Sequence, residues 1–170
     1  MKRTLLPILT VFLLATSLYS AESTSSASLP NIDVKDIKGK TVNMSEISNN
    51  GKPIVINFWA TWCKPCINEL NTIADVYEEW QEESGVKIYA VSIDDSRNVK
   101  RVAPFVKGRG WDYEVLTDEN SELRRALNVN NPPHTLLLNG NGEIVWEHNG
   151  YMPGDEMELY DEIMKLVEKE

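Results

Sequence analysis

Cysteine, histidine and basic charge are all scarce in this sequence. Two cysteines in 170 residues cannot build a disulfide scaffold. The two histidines, His134 and His148, lack the spacing that would join them to the cysteines in a zinc cluster. Lys+Arg total 17 against 26 Asp+Glu, a formal net charge of −9. So acidic a chain is a poor binder of DNA, RNA or an anionic membrane surface, all of which select for basic patches. There is no internal repeat, and no low-complexity segment beyond a short leader. With 42% hydrophobic and 25% charged residues, the composition is that of one ordinary globular domain, and the length excludes a large multidomain machine.

One long apolar run is present, Leu5 to Leu18, with Lys2 and Arg3 before it and the small residues Ser20 to Ser28 after it. That layout predicts a secretory signal peptide over residues 1–21. The alternative is an uncleaved membrane anchor. Thr4 to Ala21 lies near the lower length limit for a spanning helix and carries Pro7 and several hydroxyls, so export with cleavage is the favoured reading. No cysteine near the run offers a site for a lipid anchor. Residues 22–28 then read as a flexible leader, and residues 29–170 as a single domain in an oxidising compartment.

Within that domain, Ile32–Val34 and Thr41–Met44 alternate around Lys38-Gly39-Lys40, a hairpin pattern. Ile54–Trp59 is a β-branched and aromatic run bounded by Gly51 and Pro53, the profile of a central strand buried on both faces. From Pro65 to Glu83, Cys66, Leu70, Ile73, Tyr77 and Trp80 recur at spacings of three and four, which predicts one amphipathic helix ended by Gly85. Val86–Ile93 reads as a strand. Val99–Lys107 reads as a helix ended by Gly108 and kinked or shortened by Pro104. Trp111–Leu116 reads as a strand and Glu119–Leu127 as a short helix. Thr135–Leu138 and Glu143–Trp146 form a hairpin over Asn139-Gly140-Asn141-Gly142. Asp155–Glu168 closes the chain as an acidic helix with an apolar stripe at Met157, Tyr160, Met164 and Val167. This order predicts an α/β fold: a mixed central sheet, parallel in the middle, with helices on both faces and an antiparallel hairpin at one edge.

The chemistry is concentrated at Trp62-Cys63-Lys64-Pro65-Cys66, between the central strand and the long helix. Two residues between cysteines at a helix start let the sulfurs meet in a small ring that opens with little backbone change. Unpaired N–H groups and the helix dipole there favour a Cys63 thiolate, and Pro65 belongs in the first turn, where its missing N–H costs nothing. Half of a zinc site is one competing reading, but it has only His134 and His148 to complete it. A structural bridge is another, but it stabilises little across so short a loop.

The stretch Asn57-Phe58-Trp59-Ala60-Thr61-Trp62-Cys63-Lys64-Pro65-Cys66 resembles the active site of thioredoxin-fold proteins, and most of all the TlpA/ResA-type extracytoplasmic thiol–disulfide oxidoreductases. The resemblance runs from about Leu29 to the C-terminus. It takes in the N-terminal hairpin, a central β-α insertion at roughly Asp94 to Leu116, and Pro133-His134-Thr135-Leu136-Leu137-Leu138, where the family has its cis-proline loop. It implies a thioredoxin fold in which Cys63 exchanges disulfides with a substrate and Cys66 resolves the mixed disulfide. It also implies a Pro132–Pro133 cis bond beside the sulfurs, with the backbone before it free to pair with an extended substrate. Exported protein disulfides would be the substrates, the periplasm the place, and a membrane thiol reductase the electron donor. No cofactor and no metal is called for. Maturation of c-type cytochromes is the family's best-known task, which no residue here selects. Three departures stand out: Asn57 replaces the buried aspartate of thioredoxin, Pro132 precedes the presumed cis-proline, and His134 follows it where threonine is usual.

Glu69 gains importance from the first departure. It lies three positions after Cys66, on the same helical face, where desolvation raises a carboxyl's pKa and lets it exchange the proton of Cys66. The resemblance agrees, since ResA-like proteins carry a glutamate there. The bland alternative is a solvated helix glutamate. Asp95, just after the second long strand, is a weaker candidate acid, since aspartates at strand ends are usually solvated. His134 would complete a copper site only if it faced the sulfurs, and a half-buried histidine is the simpler reading. His148 reads as a surface residue. Trp62 reads as part of an apolar collar touching a partner polypeptide, while Trp59, Trp80, Trp111 and Trp146 read as packing. The alternatives to an oxidoreductase are a peroxiredoxin-like peroxidase and a thioredoxin-fold metallochaperone. The peroxidase is disfavoured because Thr61 lies two rather than three residues before Cys63 and no arginine is near in sequence. Lys64 beside the thiolate moves the potential upward from that of thioredoxin, about −270 mV, which makes a mild reductant the expected direction.

Overall fold

The computed structural model describes residues 27–168. The signal-peptide reading of residues 1–21 and most of the leader therefore lie outside the described residues. Among the described residues no helix is long and apolar enough to cross a membrane. The domain begins slightly earlier than the sequence suggests. Ser28 bridges Glu143, and the Ala27 carbonyl accepts from Ile144 N–H at 2.7 Å, so these two residues are paired chain rather than free leader.

Among the described residues seven strands form one sheet in the order β2-β1-β5-β4-β3-β6-β7. They are β1 (Asp33–Asp36), β2 (Thr41–Asn43), β3 (Ile54–Trp59), β4 (Lys87–Ser92), β5 (Glu114–Thr117), β6 (His134–Leu138) and β7 (Ile144–Asn149). β3, β4 and β5 are mutually parallel, and the remaining pairings are antiparallel. All six residues of β3 are buried, as a strand covered on both faces must be. The N-terminal hairpin joins the same sheet through β1 and β5.

Among the described residues five α-helices accompany the sheet: α1 (Lys64–Ala74), α2 (Tyr77–Ser84), α3 (Val102–Arg109), α4 (Glu122–Ala126) and α5 (Asp155–Val167). α1, α2 and α5 pack on one another. The end of α4 lies across the sheet from them. Thr135 reaches α1, while its neighbours His134 and Leu136 share a cavity with Ala126 and Leu127. Side chains alternate across a strand, so these two sets occupy opposite faces.

Several boundaries depart from the sequence reading, each for a physical reason. The single helix expected over Pro65–Glu83 is two, broken at Asp75–Val76. The apolar positions keep their period through the break, so Leu70, Ile73, Tyr77 and Trp80 are all buried and the periodicity conceals it. Gly85, at φ +69°, ends α2 as anticipated. Val99–Arg101 is a 3₁₀ turn, and α3 follows it; Pro104 is the third residue of α3, in the first turn, so it starts the helix rather than kinking it. Gly110, at φ +67°, ends α3 in place of Gly108. Trp111 and Tyr113 precede β5 instead of belonging to it. They alternate because both face α1, Trp111 Nε1 donating to Asn71 Oδ1 at 3.0 Å and the Tyr113 hydroxyl to the Leu70 carbonyl at 2.7 Å. The Asp118 carboxylate accepts from the N–H groups of Glu122 and Arg124, both at 2.8 Å, and so places the start of α4 at Glu122 rather than Glu119. β7 runs on to Asn149. In α5 the buried stripe is Leu159 and Ile163, whereas Met157 of the expected stripe is 55% exposed.

Candidate active site

β3 ends at Trp59 and the loop Ala60–Trp62 carries the chain to Cys63, the N-cap of α1. Cys63 and Cys66 are joined in a disulfide with Cα atoms 5.4 Å apart. Cys66 N–H donates to Cys63 Sγ at 3.3 Å, so the first sulfur caps the helix. A thiolate there faces the free N–H groups and positive dipole end of α1. In the disulfide state Cys63 is 5% exposed and Cys66 is wholly covered. Trp62, by contrast, stands 63% exposed directly before the pair.

The loop is held by a residue the sequence reading passed over. Asp94 is completely buried and accepts from Thr61 N–H (2.8 Å), the Thr61 hydroxyl (2.6 Å) and the Ser92 hydroxyl (2.8 Å). Asp95, the candidate named from sequence, is instead a half-buried partner of the exposed Arg97, at 2.8 Å, and that bond holds its carboxyl below the ordinary range. The signal was available, since Ser92 and Asp94 share strand parity at the end of β4, but nothing local says which of two adjacent aspartates turns inward.

Glu69 lies on α1 one helical turn beyond Cys66 and is 4% exposed. Asn57 of β3 and Thr135 of β6 are direct cross-strand partners, so their side chains share the face toward α1. Asn57 Nδ2 donates to Glu69 Oε2 at 3.0 Å and to Thr135 Oγ1 at 2.8 Å; Thr135 Oγ1 donates to Glu69 Oε1 at 3.0 Å. Burial pushes the Glu69 carboxyl up to about 7, against the opposing pull of those two hydrogen bonds and of His148, with Asp155 adding slightly to the rise. The solvated-glutamate alternative does not describe this residue. No local pattern in the sequence singles out Thr135, whose partner Asn57 lies 78 residues away.

The Pro132–Pro133 bond is cis. Just before it, the Asn131 N–H and the carbonyls of Asn131 and Pro132 have no hydrogen-bond partner among the described residues. His134 follows on the sheet face away from Glu69, its Nδ1 paired with Asn149 Nδ2 at 3.1 Å, and burial holds its pKa down. It faces the cavity beside α4 instead of the Glu69 side of the sheet. Among the described residues no group of three or more His, Cys, Asp or Glu is placed to hold a metal ion. His148 is more than a surface residue, being half-buried, bonded through Nε2 to Asp155 at 3.2 Å, and paired across β6/β7 with Thr135. Trp59 packs as expected, against Phe105 and edge-on to Trp111 with centroids 5.0 Å apart.

The model of the AhpC/TSA family matches residues 26–147. The chain belongs to that family. Within it, the thiol–disulfide oxidoreductase ResA of Bacillus subtilis is 32% identical over 145 residues, covering 85% of this chain and 78% of the relative. ResA of Halalkalibacterium halodurans is 31% identical over 140 residues, covering 82% and 75%. Among solved structures, a thioredoxin-like protein of Porphyromonas gingivalis superimposes with a TM-score of 0.76 at 47% identity, over 83% of this chain and 92% of that one. StoA of Bacillus subtilis does so at 0.61 and 26% identity, over 78% and 99%. With the disulfide-linked Cys63 and Cys66 at the head of α1, the protein is a thioredoxin-fold thiol–disulfide oxidoreductase.

Proposed function

We propose that this AhpC/TSA-family protein is a mild reductant of disulfides in exported proteins, with Cys63 as nucleophile, Cys66 as resolving thiol and Glu69 as proton carrier. In the reduced enzyme the Cys63 thiolate attacks a client disulfide, forming a Cys63–client bond while the client's other sulfur leaves as thiolate. Cys66 then gives its proton to the Glu69 carboxylate as its sulfur attacks Cys63 Sγ. The Cys63–Cys66 disulfide forms, the second client thiolate leaves, and two electrons have passed to the client. Return to the dithiol needs an external dithiol donor, and the resemblance points to a membrane thiol reductase facing the periplasm. Trp62 supplies exposed apolar surface for the client, and the unpaired backbone of Asn131 and Pro132 supplies strand-pairing groups.

The observation that carries the reading is a buried carboxyl, poised near neutrality, one turn beyond the covered cysteine. The test is a redox titration of the pair together with reduction of insulin disulfides by the protein and dithiothreitol. Insulin turnover with a midpoint between thioredoxin's and the strong oxidants', about −270 to −120 mV, supports the reading, and Cys66→Ser should accumulate client disulfides through Cys63. Turnover of hydrogen peroxide without insulin reduction would favour a peroxidase, and stoichiometric copper binding without turnover a metallochaperone.

A further inference from the structure

The side-chain amide of Asn57 is unevenly used. It is 1% exposed; its nitrogen makes two hydrogen bonds, to Glu69 Oε2 and Thr135 Oγ1, while its Oδ1 is buried with no partner. A buried carbonyl left unpaired is costly, and native proteins avoid it unless something else is gained. The oxygen and nitrogen of an amide are nearly the same size, so a half-turn about the last side-chain torsion exchanges them without moving any other heavy atom.

We propose that Asn57 is a positioning residue that holds Glu69 in place through both of its protonation states by that half-turn. With the carboxylate ionised, Nδ2 faces it and donates. With the carboxyl protonated, its new O–H needs an acceptor, and Oδ1 turns in to provide one. The Thr135 hydroxyl, free to rotate, then directs its proton to Oδ1 instead of Glu69 Oε1. Each orientation leaves one amide group unpaired, so neither is locked. The proton that Glu69 takes from Cys66 is thus accommodated without backbone movement, and the carboxyl keeps its place between Asn57 and Thr135 for the reverse transfer. This inference rests on the proposal that Glu69 carries a proton. The charged and titratable groups acting on Glu69 from surrounding elements are His148 of β7, Asp155 of α5, and Tyr113 and Tyr151 in the loops. None of them hydrogen-bonds Glu69; the amide and the hydroxyl do.

Nuclear magnetic resonance of the oxidised full chain across pH 5 to 9 tests this, following the Glu69 carboxyl carbon and the Asn57 side-chain amide together. The expected result is contact between the Asn57 amide protons and the Thr135 side chain at high pH that is lost at low pH with the same midpoint as the Glu69 titration. A Glu69 titration during which those contacts stay constant overturns the half-turn and leaves the proton-carrier reading standing. Absence of any Glu69 titration in that range overturns both. Asn57→Ala gives a second discrimination through the Glu69 midpoint. A residue that bonds both forms shifts it by less than about one pH unit when removed, whereas a fixed donor to the carboxylate alone shifts it upward by about one to two, the ~10–100-fold that a charge-assisted hydrogen bond supplies.

Discussion

Replacing Glu69 with glutamine preserves the length of the side chain and removes its proton exchange, and two consequences of opposite sign follow. The first is kinetic. Resolution of a Cys63 mixed disulfide requires Cys66 to lose its proton beneath a covered sulfur, and a positioned base contributes about 10²–10⁴-fold to such a step. Under the proposed mechanism the base in the wild type is the ionised fraction of Glu69, so the resolution rate should rise with pH through a midpoint near 7 and level off above it. In Glu69→Gln that rise disappears, leaving a slower rate that grows only as Cys66 itself ionises. The gap is widest near pH 8 and closes toward pH 5, where wild-type Glu69 is already protonated.

The second consequence is thermodynamic. A carboxyl raised from 4.5 to about 7 in the folded state costs the fold about 3 kcal/mol once both states are ionised. Below pH 4.5 the group is protonated folded and unfolded, and nothing is lost. As pH rises from 4.5 to 7 the unfolded state releases its proton first, so the wild type becomes progressively less stable, with the full cost present above 7. Glu69→Gln should therefore be nearly neutral at pH 4 and more stable than the wild type by up to about 3 kcal/mol at pH 8. Stopped-flow fluorescence on a preformed mixed disulfide measures the rate, and urea unfolding at each pH measures the stability. Superimposable rate profiles together with a pH-independent stability difference would show that Glu69 neither titrates near neutrality nor serves the cysteines.

Three further outcomes are expected. Trp62→Ala removes exposed apolar surface only, so it should weaken client binding by roughly 0.5–1.5 kcal/mol, in the range of a modest interface contact, read as a raised KM for a peptide disulfide with unchanged unfolding. Asp94→Ala strips the half-buried Thr61 N–H of its acceptor and should cost about 1–3 kcal/mol in urea unfolding, with faster reduction of the less firmly held disulfide by dithiothreitol. Gly140→Ala would drive a Cβ into the Gly51 carbonyl and should lower stability by about 1–3 kcal/mol, while the insulin reduction rate per folded molecule stays the same.

What the sequence showed of this site followed the range of its signals. The CxxC pair lies between a β-branched run and a 3.6-residue period, and both are local patterns. Glu69 was legible because three residues along a helix fix a shared face. Thr135 was not, since its meeting with Asn57 spans 78 residues and depends on the β3/β6 register. The break between α1 and α2 was hidden for the opposite reason: the apolar period runs straight through it. In α5 two apolar stripes compete, and packing chose Leu159 and Ile163 over the stripe through Met157. Pro104 misled because its effect depends on whether the helix begins before or after it.

The two buried carboxyls of the site divide its labour through what surrounds them. Asp94 accepts three hydrogen bonds, two of them from Thr61, so its oxygens are committed to fixing the loop that presents Cys63. Glu69 accepts two, one from an amide whose oxygen is unpaired and one from a hydroxyl that can rotate. Both partners can change from donor to acceptor, which is what a group that gains and loses a proton requires of its neighbours. Under the proposed mechanism the titrating group therefore sits on α1, and Asn57, on the neighbouring strand β3, is the adaptable partner that serves it.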